Sequence, residues 1–231
     1  MNEKRSHQQN VVHAYHKRST HYDTSVRFFD LFRSFGFDIP AWRLAAVKTL
    51  NLKPGNTVVD IGCGTGLNFP FLYNLIGPEG KIIGVDLSEA MLERAHQSTN
   101  ENDWQNVELV CSDAALYQFP EGLDGILSTF ALILVPECDQ VVINGCRALQ
   151  PGGHFSILDM CWPAGWSFNW RHLFFFLRSY GVNLETLQRR PWKTIWKTME
   201  ENLLDVAKKR FWFGMMYQIS GKKAVVEETR S

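Results

Sequence analysis

The chain has 231 residues, a length that suits one large domain rather than several. Hydrophobic residues make up 45% of it and charged residues 21%, which excludes a disordered chain. The 24 basic and 24 acidic residues cancel overall, but the net charge is +4 in residues 1–50, −10 in residues 51–159 and +6 in residues 160–231.

Hydrophobic periodicity predicts two N-terminal helices, at residues 26–36 and 41–50, followed by alternating strands and helices. The strands are predicted at residues 57–61, 81–85, 107–110, 125–130 and 154–158, and the helices at 67–76, 88–97 and 141–149. Such short units form a parallel sheet that is covered on both faces. Two more strands, at 210–213 and 215–220, are predicted to form an antiparallel hairpin around Gly214.

An aromatic-rich stretch at residues 160–205 separates the hairpin from the alternating units. Six of the eight tryptophans lie between Trp162 and Trp212, with arginines and lysines among them. This density exceeds the single apolar stripe of an amphipathic helix. The stretch is interpreted as a cap packed on the core, as the wall of an apolar acceptor pocket or as a patch that contacts anionic lipid. The candidate acceptor-contacting residues are Trp162, Trp166 and Trp170.

Cysteine usage and hydropathy indicate the compartment. The five cysteines are odd in number and have no CxxC spacing, which favours a reducing environment over a disulfide framework. Residues 1–19 are polar and contain no apolar signal-peptide region. The longest apolar run, residues 126–135, is far shorter than the ~20 residues of a membrane-spanning helix. We expect a cytoplasmic protein that is soluble or rests on a membrane surface.

The most informative segment is VVDIGCGTG at residues 58–66, where a predicted strand enters a glycine-rich turn. Residues without a Cβ permit such a turn, and the amides at the start of the next helix point at a ligand. The pattern GxGxG differs from the dinucleotide-binding pattern GxGxxG, and Leu67 stands where that pattern requires glycine. A nicotinamide-dependent oxidoreductase is therefore an alternative of lower rank.

Three acids, Asp60, Asp86 and Asp113, stand at or near the carboxyl ends of predicted strands. Ligands of open α/β sheets bind outside these ends. Asp86 follows Gly62 by 24 residues, near the offset of ~20 at which an acid binds ribose hydroxyls in doubly wound folds. Asp113 is placed to meet an adenine amino group. The alternative interpretation is that these acids only cap helices or turns.

Four motifs in this order, DIGCGTG, GVDLS, CSDA and RALQPGG, resemble those of the class I S-adenosylmethionine-dependent methyltransferases. The resemblance covers residues ~40–160 and extends to the final hairpin. It implies an α/β, Rossmann-like fold with a seven-stranded sheet that is mostly parallel and has an antiparallel last strand. It also implies S-adenosyl-L-methionine as cofactor, S-adenosyl-L-homocysteine as product and no requirement for a metal.

The resemblance further implies which residues bind the cofactor. Against its methionine part lie Gly62, Cys63 and Gly64, and near its sulfonium lie the backbone carbonyls of Ser128 and Thr129. Around its ribose and adenine lie Asp86, Leu87, Met91, Asp113 and Ala114. The other candidates from the strand end and the glycine loop are Asp60, Gly66 and Asn68.

The N-terminal segment from Tyr15 to Asp23 is similar to the Tyr-x(6)-Tyr-Asp element of ubiquinone/menaquinone-type and phosphatidylethanolamine-type methyltransferases. In such proteins these tyrosines fold over the cofactor, so Tyr15 and Tyr22 are cofactor-binding candidates. His16, His21 and Tyr22 are the candidates for a catalytic base. A metal on the N-terminal histidines is disfavoured because no carboxylate or cysteine accompanies them at ligand spacing.

We therefore expect one methyltransferase domain over residues 1–231. Its parts are N-terminal lid helices (1–50), a cofactor-binding core (51–159), an aromatic cap or acceptor region (160–205) and a C-terminal hairpin (206–221). Residues 66–69 and 190–192 are similar to the subgroup that methylates amino-headgroup lipids.

The first expectation for the acceptor is accordingly a small, lipophilic or membrane-derived amine, and the alternative is C- or O-methylation of a quinone or phenol. A catalytically silent cofactor-binding partner protein is a further alternative. The two basic ends predict contact with an anionic acceptor or membrane surface. Nucleic acid is disfavoured, because RNA-modifying relatives usually add a dedicated binding module for which this chain lacks room. Monomer and homodimer are both compatible with the sequence.

Overall fold

The computed structural model describes residues 37–162 and 184–225, which form a seven-stranded sheet with helices on both faces. The strands are β1 Thr57–Ile61, β2 Lys81–Asp86, β3 Val107–Cys111, β4 Leu123–Thr129, β5 Leu149–Met160, β6 Leu204–Phe211 and β7 Met216–Lys222. The helices are α1 Ile39–Lys48, α2 Phe69–Ile76, α3 Glu89–Glu101, α4 Cys138–Ala148, α5 Leu184–Arg189 and α6 Pro191–Asn202. Short 3₁₀ segments occupy Leu132–Leu134 and Trp212–Gly214.

The sheet has the strand order β3-β2-β1-β4-β5-β7-β6. Strands β1 to β5 pair in parallel, whereas β7 runs antiparallel to both β5 and β6. The predicted Rossmann-like fold with an antiparallel last strand is confirmed. Because the chain crosses from β3 to β4, on the other side of β1, the carboxyl ends of β1 and β4 meet at the switch point where such sheets bind ligands.

Two hydrophobic clusters cover the sheet, one on each face. Alternate residues of β1 enter different clusters: Val59 and Ile61 face α4 and α6, and Val58 faces α1 and α2. Burial on both faces explains why the central strands are almost continuously apolar in sequence.

Helix α1 belongs to the core on its face of the sheet. It begins where the Asp38 carboxylate accepts the Ala41 N–H (3.0 Å), with a proline in the first turn. Trp42, Ala46 and Val47 are buried against β4, β5 and α2. The sequence grouped this helix with a lid, but its apolar face is packed on the sheet. The rest of the predicted lid, including the helix at 26–36, lies outside the described residues.

Helix α6, which the sequence assigned to the aromatic cap, covers the opposite face of the sheet. Trp192, Ile195 and Met199 are buried against α4 and β7. Trp162 is half-buried and packs against the same cluster. The hairpin is also longer than predicted at both ends, since β6 begins at residue 204 and β7 ends at residue 222.

Asp159 anchors the 3₁₀ segment Leu132–Leu134 to the end of β5. Its buried carboxylate accepts the N–H of Ile133 at Oδ2 (2.9 Å) and that of Met160 at Oδ1 (2.8 Å). Burial raises the pKa of Asp159 to about 7, although these hydrogen bonds lower it. The folded protein therefore holds a proton here that the unfolded chain releases near pH 4.

The protonated Asp159 carboxyl contributes to the free energy of unfolding. This contribution is fully present below about pH 4 and is lost as the pH rises through about 7. Between about pH 5 and about pH 8 we expect the unfolding free energy of the wild type, relative to Asp159→Asn, to fall by about 2–3 kcal/mol. Urea unfolding at the two pH values measures the difference. The exposed control Asp139→Asn on α4 should keep the wild-type pH dependence. Identical pH dependence of wild type and Asp159→Asn would contradict the assignment.

Candidate functional site

A cleft of about 1010 Å³, counting space open to solvent, lies at the carboxyl ends of β1, β2, β3 and β4. Its walls are mainly apolar with a few polar groups, as in small-molecule binding sites. The structure brings together nine of the residues that the sequence predicted, which are Gly62, Cys63, Gly64, Asp86, Leu87, Met91, Asp113, Ala114 and Thr129.

The glycine loop after β1 forms the floor of this cleft. A Cβ on Gly62, which has φ +67°, would lie 2.2 Å from the Cβ of Ala131, so only glycine allows this approach to the β4 end. A Cβ on Gly64, which has φ +57°, would meet no protein atom within 4 Å. Gly62 therefore serves internal packing, while Gly64 borders open space that a ligand can occupy. Gly66 does not line the cleft and packs against the ring of Phe69.

The carboxylate of Asp86 joins the glycine loop to the start of α3. Gly64 N–H donates to its Oδ2 (2.8 Å) and Ser88 N–H donates to its Oδ1 (2.9 Å). Burial raises the pKa of Asp86, and backbone hydrogen bonds from Ser88, Gly64 and Leu87 lower it. The two oxygens have about four lone-pair sites, so the carboxylate can still accept from a ligand hydroxyl. Ser88 is the N-cap residue of α3, but its side chain makes no capping hydrogen bond.

The ends of β2 and β3 provide another wall of the cleft. Met91 is fully buried under this wall, and Leu87 borders it. Asp113 accepts the N–H of Ala115 at Oδ1 (2.9 Å), which fixes the turn that follows β3. Apolar side chains beside a fixed carboxylate suit a flat heterocycle with an amino group at its edge.

A buried hydrogen-bond network lies beneath the glycine loop. Asn68 Nδ2 donates to both carboxylate oxygens of Asp60 (3.0 and 2.9 Å) and to Thr129 Oγ1 (3.0 Å). Arg43 Nη1 donates to Asn68 Oδ1 (2.9 Å) and to Thr129 Oγ1. Arg43 and Thr129 line the cleft, whereas Asp60 and Asn68 lie behind it. The network thus supports the cleft from below.

Arg43 places a positive charge in the cleft beside the end of β4. Burial raises the pKa of Asp60 to about 7, while the Asn68 hydrogen bond and the charge of Arg43 lower it. The Arg43 guanidinium also lies 5.2 Å from the ring centroid of Phe130. Phe130 has φ +58°, a strained conformation for a non-glycine residue, and its N–H donates to Leu158 O (2.8 Å).

Other predicted residues lie elsewhere. Ser128 is buried within the sheet, where its hydroxyl donates to Ile61 O (3.0 Å), and it does not line the cleft. Trp162 is likewise absent from the lining. Those outside the described residues are Tyr15, His16, His21, Tyr22, Trp166 and Trp170.

Sequence reasoning missed several lining residues. Besides Arg43, they are Ile61, Thr65, Leu67, Val85, Ser88, Ser112, Phe130, Ala131, Leu134, Val135 and Pro136. The apolar run that continues from β4 to Pro136 was a usable signal, because lining residues follow the end of the strand. The signal for Arg43 was weaker, because it consisted only of one charged residue within an otherwise apolar helical segment.

In residues 37–162 and 184–225, no cluster of three or more His, Cys, Asp or Glu is arranged to hold a metal ion. Within the same ranges, no helix has the length and hydropathy needed to cross a membrane.

Residues 52–211 match the methyltransferase domain family. The chain belongs to this family. The chain is 35% identical over 128 residues to the demethylmenaquinone methyltransferase of Listeria monocytogenes, with 54% of each protein covered. A Geobacillus protein of the same name is 28% identical over 172 residues, covering 74% of this chain and 71% of its own. The chain spans about half the length of the first curated relatives that it matches.

Solved structures share the fold. Geranyl diphosphate C-methyltransferase from Streptomyces coelicolor superposes with a TM-score of 0.66 at 15% identity, over 80% of this chain and 76% of its own. Phosphoethanolamine N-methyltransferase 2 from Haemonchus contortus gives 0.62 at 20% identity, over 80% and 52%. The chain thus contains a methyltransferase domain with the fold that the sequence predicted.

If Asp86 binds the ribose, Asp86→Ala should weaken S-adenosylhomocysteine binding at least about tenfold, because the charge-assisted hydrogen bonding between carboxylate and ribose is lost. Titration calorimetry measures the affinity, and Glu93→Ala, an exposed change on α3, is the matched control. An affinity equal to that of the control would remove the ribose assignment.

Asn68→Leu should lower the unfolding free energy by about 2–3 kcal/mol near pH 8, because it leaves the buried Asp60 carboxylate without its donor. The loss should be smaller near pH 5, where Asp60 is protonated. Urea unfolding at both pH values measures it. The exposed Asn100→Leu on α3 is the control, and equal losses in the two variants would speak against the network.

Proposed function

We propose that this methyltransferase acts on a lipophilic quinol or phenol, at carbon or oxygen. The observation that carries this proposal is the guanidinium of Arg43 beside the apolar wall at the end of β4. The sequence analysis ranked an amine headgroup first and a quinone or phenol second. We reverse this order here.

The proposed position of the cofactor follows from the polar groups of the cleft. Asp86 would hold the ribose hydroxyls, and Leu87, Met91, Asp113 and Ala114 would hold the adenine. The open space beside Gly64 would take the methionine part, and Thr129 and Phe130 at the end of β4 would stand on the side where the acceptor binds. Asp60 and Asn68 would act from behind, by holding Thr129 and the loop in place.

The acceptor would then meet a wall of low polarity. Phe130, Leu134, Val135 and Pro136 line the cleft at the end of β4, and Arg43 contributes the charge there. A guanidinium stabilises the negative oxygen that a phenol or quinol develops as it loses its proton. The same charge opposes an amine, which becomes cationic when it is methylated. The carboxylates that line the cleft, Asp86 and Asp113, stand at the β2 and β3 ends instead.

The names of the curated relatives support the same class, since the matched bacterial proteins are demethylmenaquinone methyltransferases. A quinone becomes a nucleophile at ring carbon or oxygen only when it is reduced to the quinol. The reduced form is therefore the acceptor to test.

The bound cofactor supplies an electrophilic methyl group on a cationic sulfur. The protein's contribution is to hold the two reactants in line and to exclude water, which can supply about 7–11 kcal/mol of the barrier. The apolar wall at residues 130–136 suits both tasks. His16, His21 and Tyr22 remain the candidates for a general base.

A product-mass screen with S-adenosylmethionine tests the acceptor class, using reduced demethylmenaquinone, simple phenols and ethanolamine-headgroup lipids. We expect a mass gain of one methyl group on the quinol or phenol. Arg43→Gln should lower kcat/KM for that acceptor at least about tenfold, whereas Lys48→Gln, an exposed change on the same helix, should not. S-adenosylhomocysteine binding by Arg43→Gln checks that the cleft is intact. Methylation of the amine lipids alone would overturn the proposal.

A further inference from the structure

The turn between β6 and β7 exposes an aromatic side chain at the carboxyl edge of the sheet. Phe213 is 76% exposed. Trp212 and Phe213 have φ +41° and +54°, values that non-glycine residues rarely adopt, and Gly214 follows at +81°. Trp212 packs against Phe37, with ring centroids 4.6 Å apart. The strained turn thus keeps one aromatic ring on the protein and the next one in solvent.

Cations flank this turn on both faces of β6. Lys208 and Arg210 each lie 5.3 Å from the ring centroid of Trp196, on one face. Lys209 lies 5.1 Å from the ring of Phe211, on the other. Lys208 is paired with Glu200 (2.5 Å). Lys209 and Arg210 therefore bring most of the positive charge next to Phe213.

The same edge of the sheet carries the cleft. Leu116, which is 77% exposed, follows β3 and lies three residues beyond Asp113, a lining residue. Arg190 and Lys193 are exposed at the start of α6. Because α6 ends beside the start of β6, its first turn lies towards this edge, where the helix contacts the segment Leu132–Leu134. Cleft, exposed apolar residues and cations share one side of the protein.

The lysines of β6 have a structural role, because charged side chains on an edge strand prevent that strand from pairing with the sheet of another molecule. That role accounts for Lys208 and Lys209 but not for Phe213, which lies beyond the end of the strand. Aromatic rings next to lysine and arginine are typical of protein segments that rest in the headgroup layer of an anionic membrane.

We infer that the β6–β7 turn, through Phe213 with Lys209 and Arg210, docks the methyltransferase on an anionic lipid bilayer with the cleft facing the membrane. Leu116 contacts the same surface on the other side of the cleft. This inference rests on the proposed lipophilic acceptor, which then reaches the cleft without crossing water. Half-buried Arg189, by contrast, turns its Nε and one Nη into the protein and contributes less to this surface.

Vesicle co-flotation of the full chain tests the docking. The vesicles are phosphatidylcholine alone and an equimolar mixture of phosphatidylcholine and phosphatidylglycerol. We expect binding to the anionic mixture, weakened at least about tenfold by Phe213→Ser and by the double change Lys209→Gln with Arg210→Gln. The matched controls lie at the opposite edge: Leu204→Ser, at a residue that is 52% exposed, and the double change Lys48→Gln with Lys53→Gln. These controls should bind like the wild type.

Several results would overturn the inference. The first is that the variants bind vesicles as well as their controls do, and the second is that the wild type binds both vesicle types equally. Displacement of the protein from vesicles by single-stranded RNA would indicate a nucleic-acid surface. A smaller oligomer of Phe213→Ser in sedimentation would indicate an interface between copies of the chain. S-adenosylhomocysteine titration of each variant separates this inference from the proposed function. If the protein binds vesicles through Phe213 but methylates no quinol, the docking inference stands and the proposed function fails. If it methylates quinol but does not bind vesicles, the docking inference fails and the proposed function stands.

Discussion

The carboxamide of Asn68 joins helix α1 to the carboxyl ends of β1 and β4. It donates to Asp60 at the end of β1 and to Thr129 at the end of β4, and it accepts from Arg43 on α1. These groups are buried, so each unmade hydrogen bond would cost its full desolvation. The network therefore selects one arrangement of the strand ends, and the glycine loop lies on top of it.

A second buried carboxylate performs a similar task on the opposite face of the sheet. Asp159 holds the 3₁₀ segment Leu132–Leu134 through the Ile133 N–H, and that segment continues into the apolar wall of the cleft at Leu134 and Val135. Burial brings the pKa of both Asp60 and Asp159 to about 7. The shape of the cleft thus depends on two acids that become harder to bury as the pH rises, one on each face of the sheet.

Charge is distributed along the carboxyl edge of the sheet much as it is along the sequence. The acidic middle of the chain supplies Asp86 and Asp113 at the ends of β2 and β3. The basic N-terminal part supplies Arg43 at the end of β4, and the basic C-terminal part supplies Lys209 and Arg210 beside the exposed Phe213. A zero net charge therefore conceals a cleft whose carboxylates stand at the ends of β2 and β3, whereas its end at β4 is basic and apolar.

Local patterns in the sequence were enough to predict the fold and much of the cleft. Strand β1 was predicted at its observed bounds of 57–61, and the glycine loop and Asp86 were found because chain turns and strand ends leave short, local signals. Tertiary structure alone decided that Arg43 reaches Thr129, 86 residues away, and that α6 packs on the same face of the sheet as α4. The physical reason is that a buried charge or an apolar helix face finds its partner through packing across the sheet, and no local pattern specifies that partner.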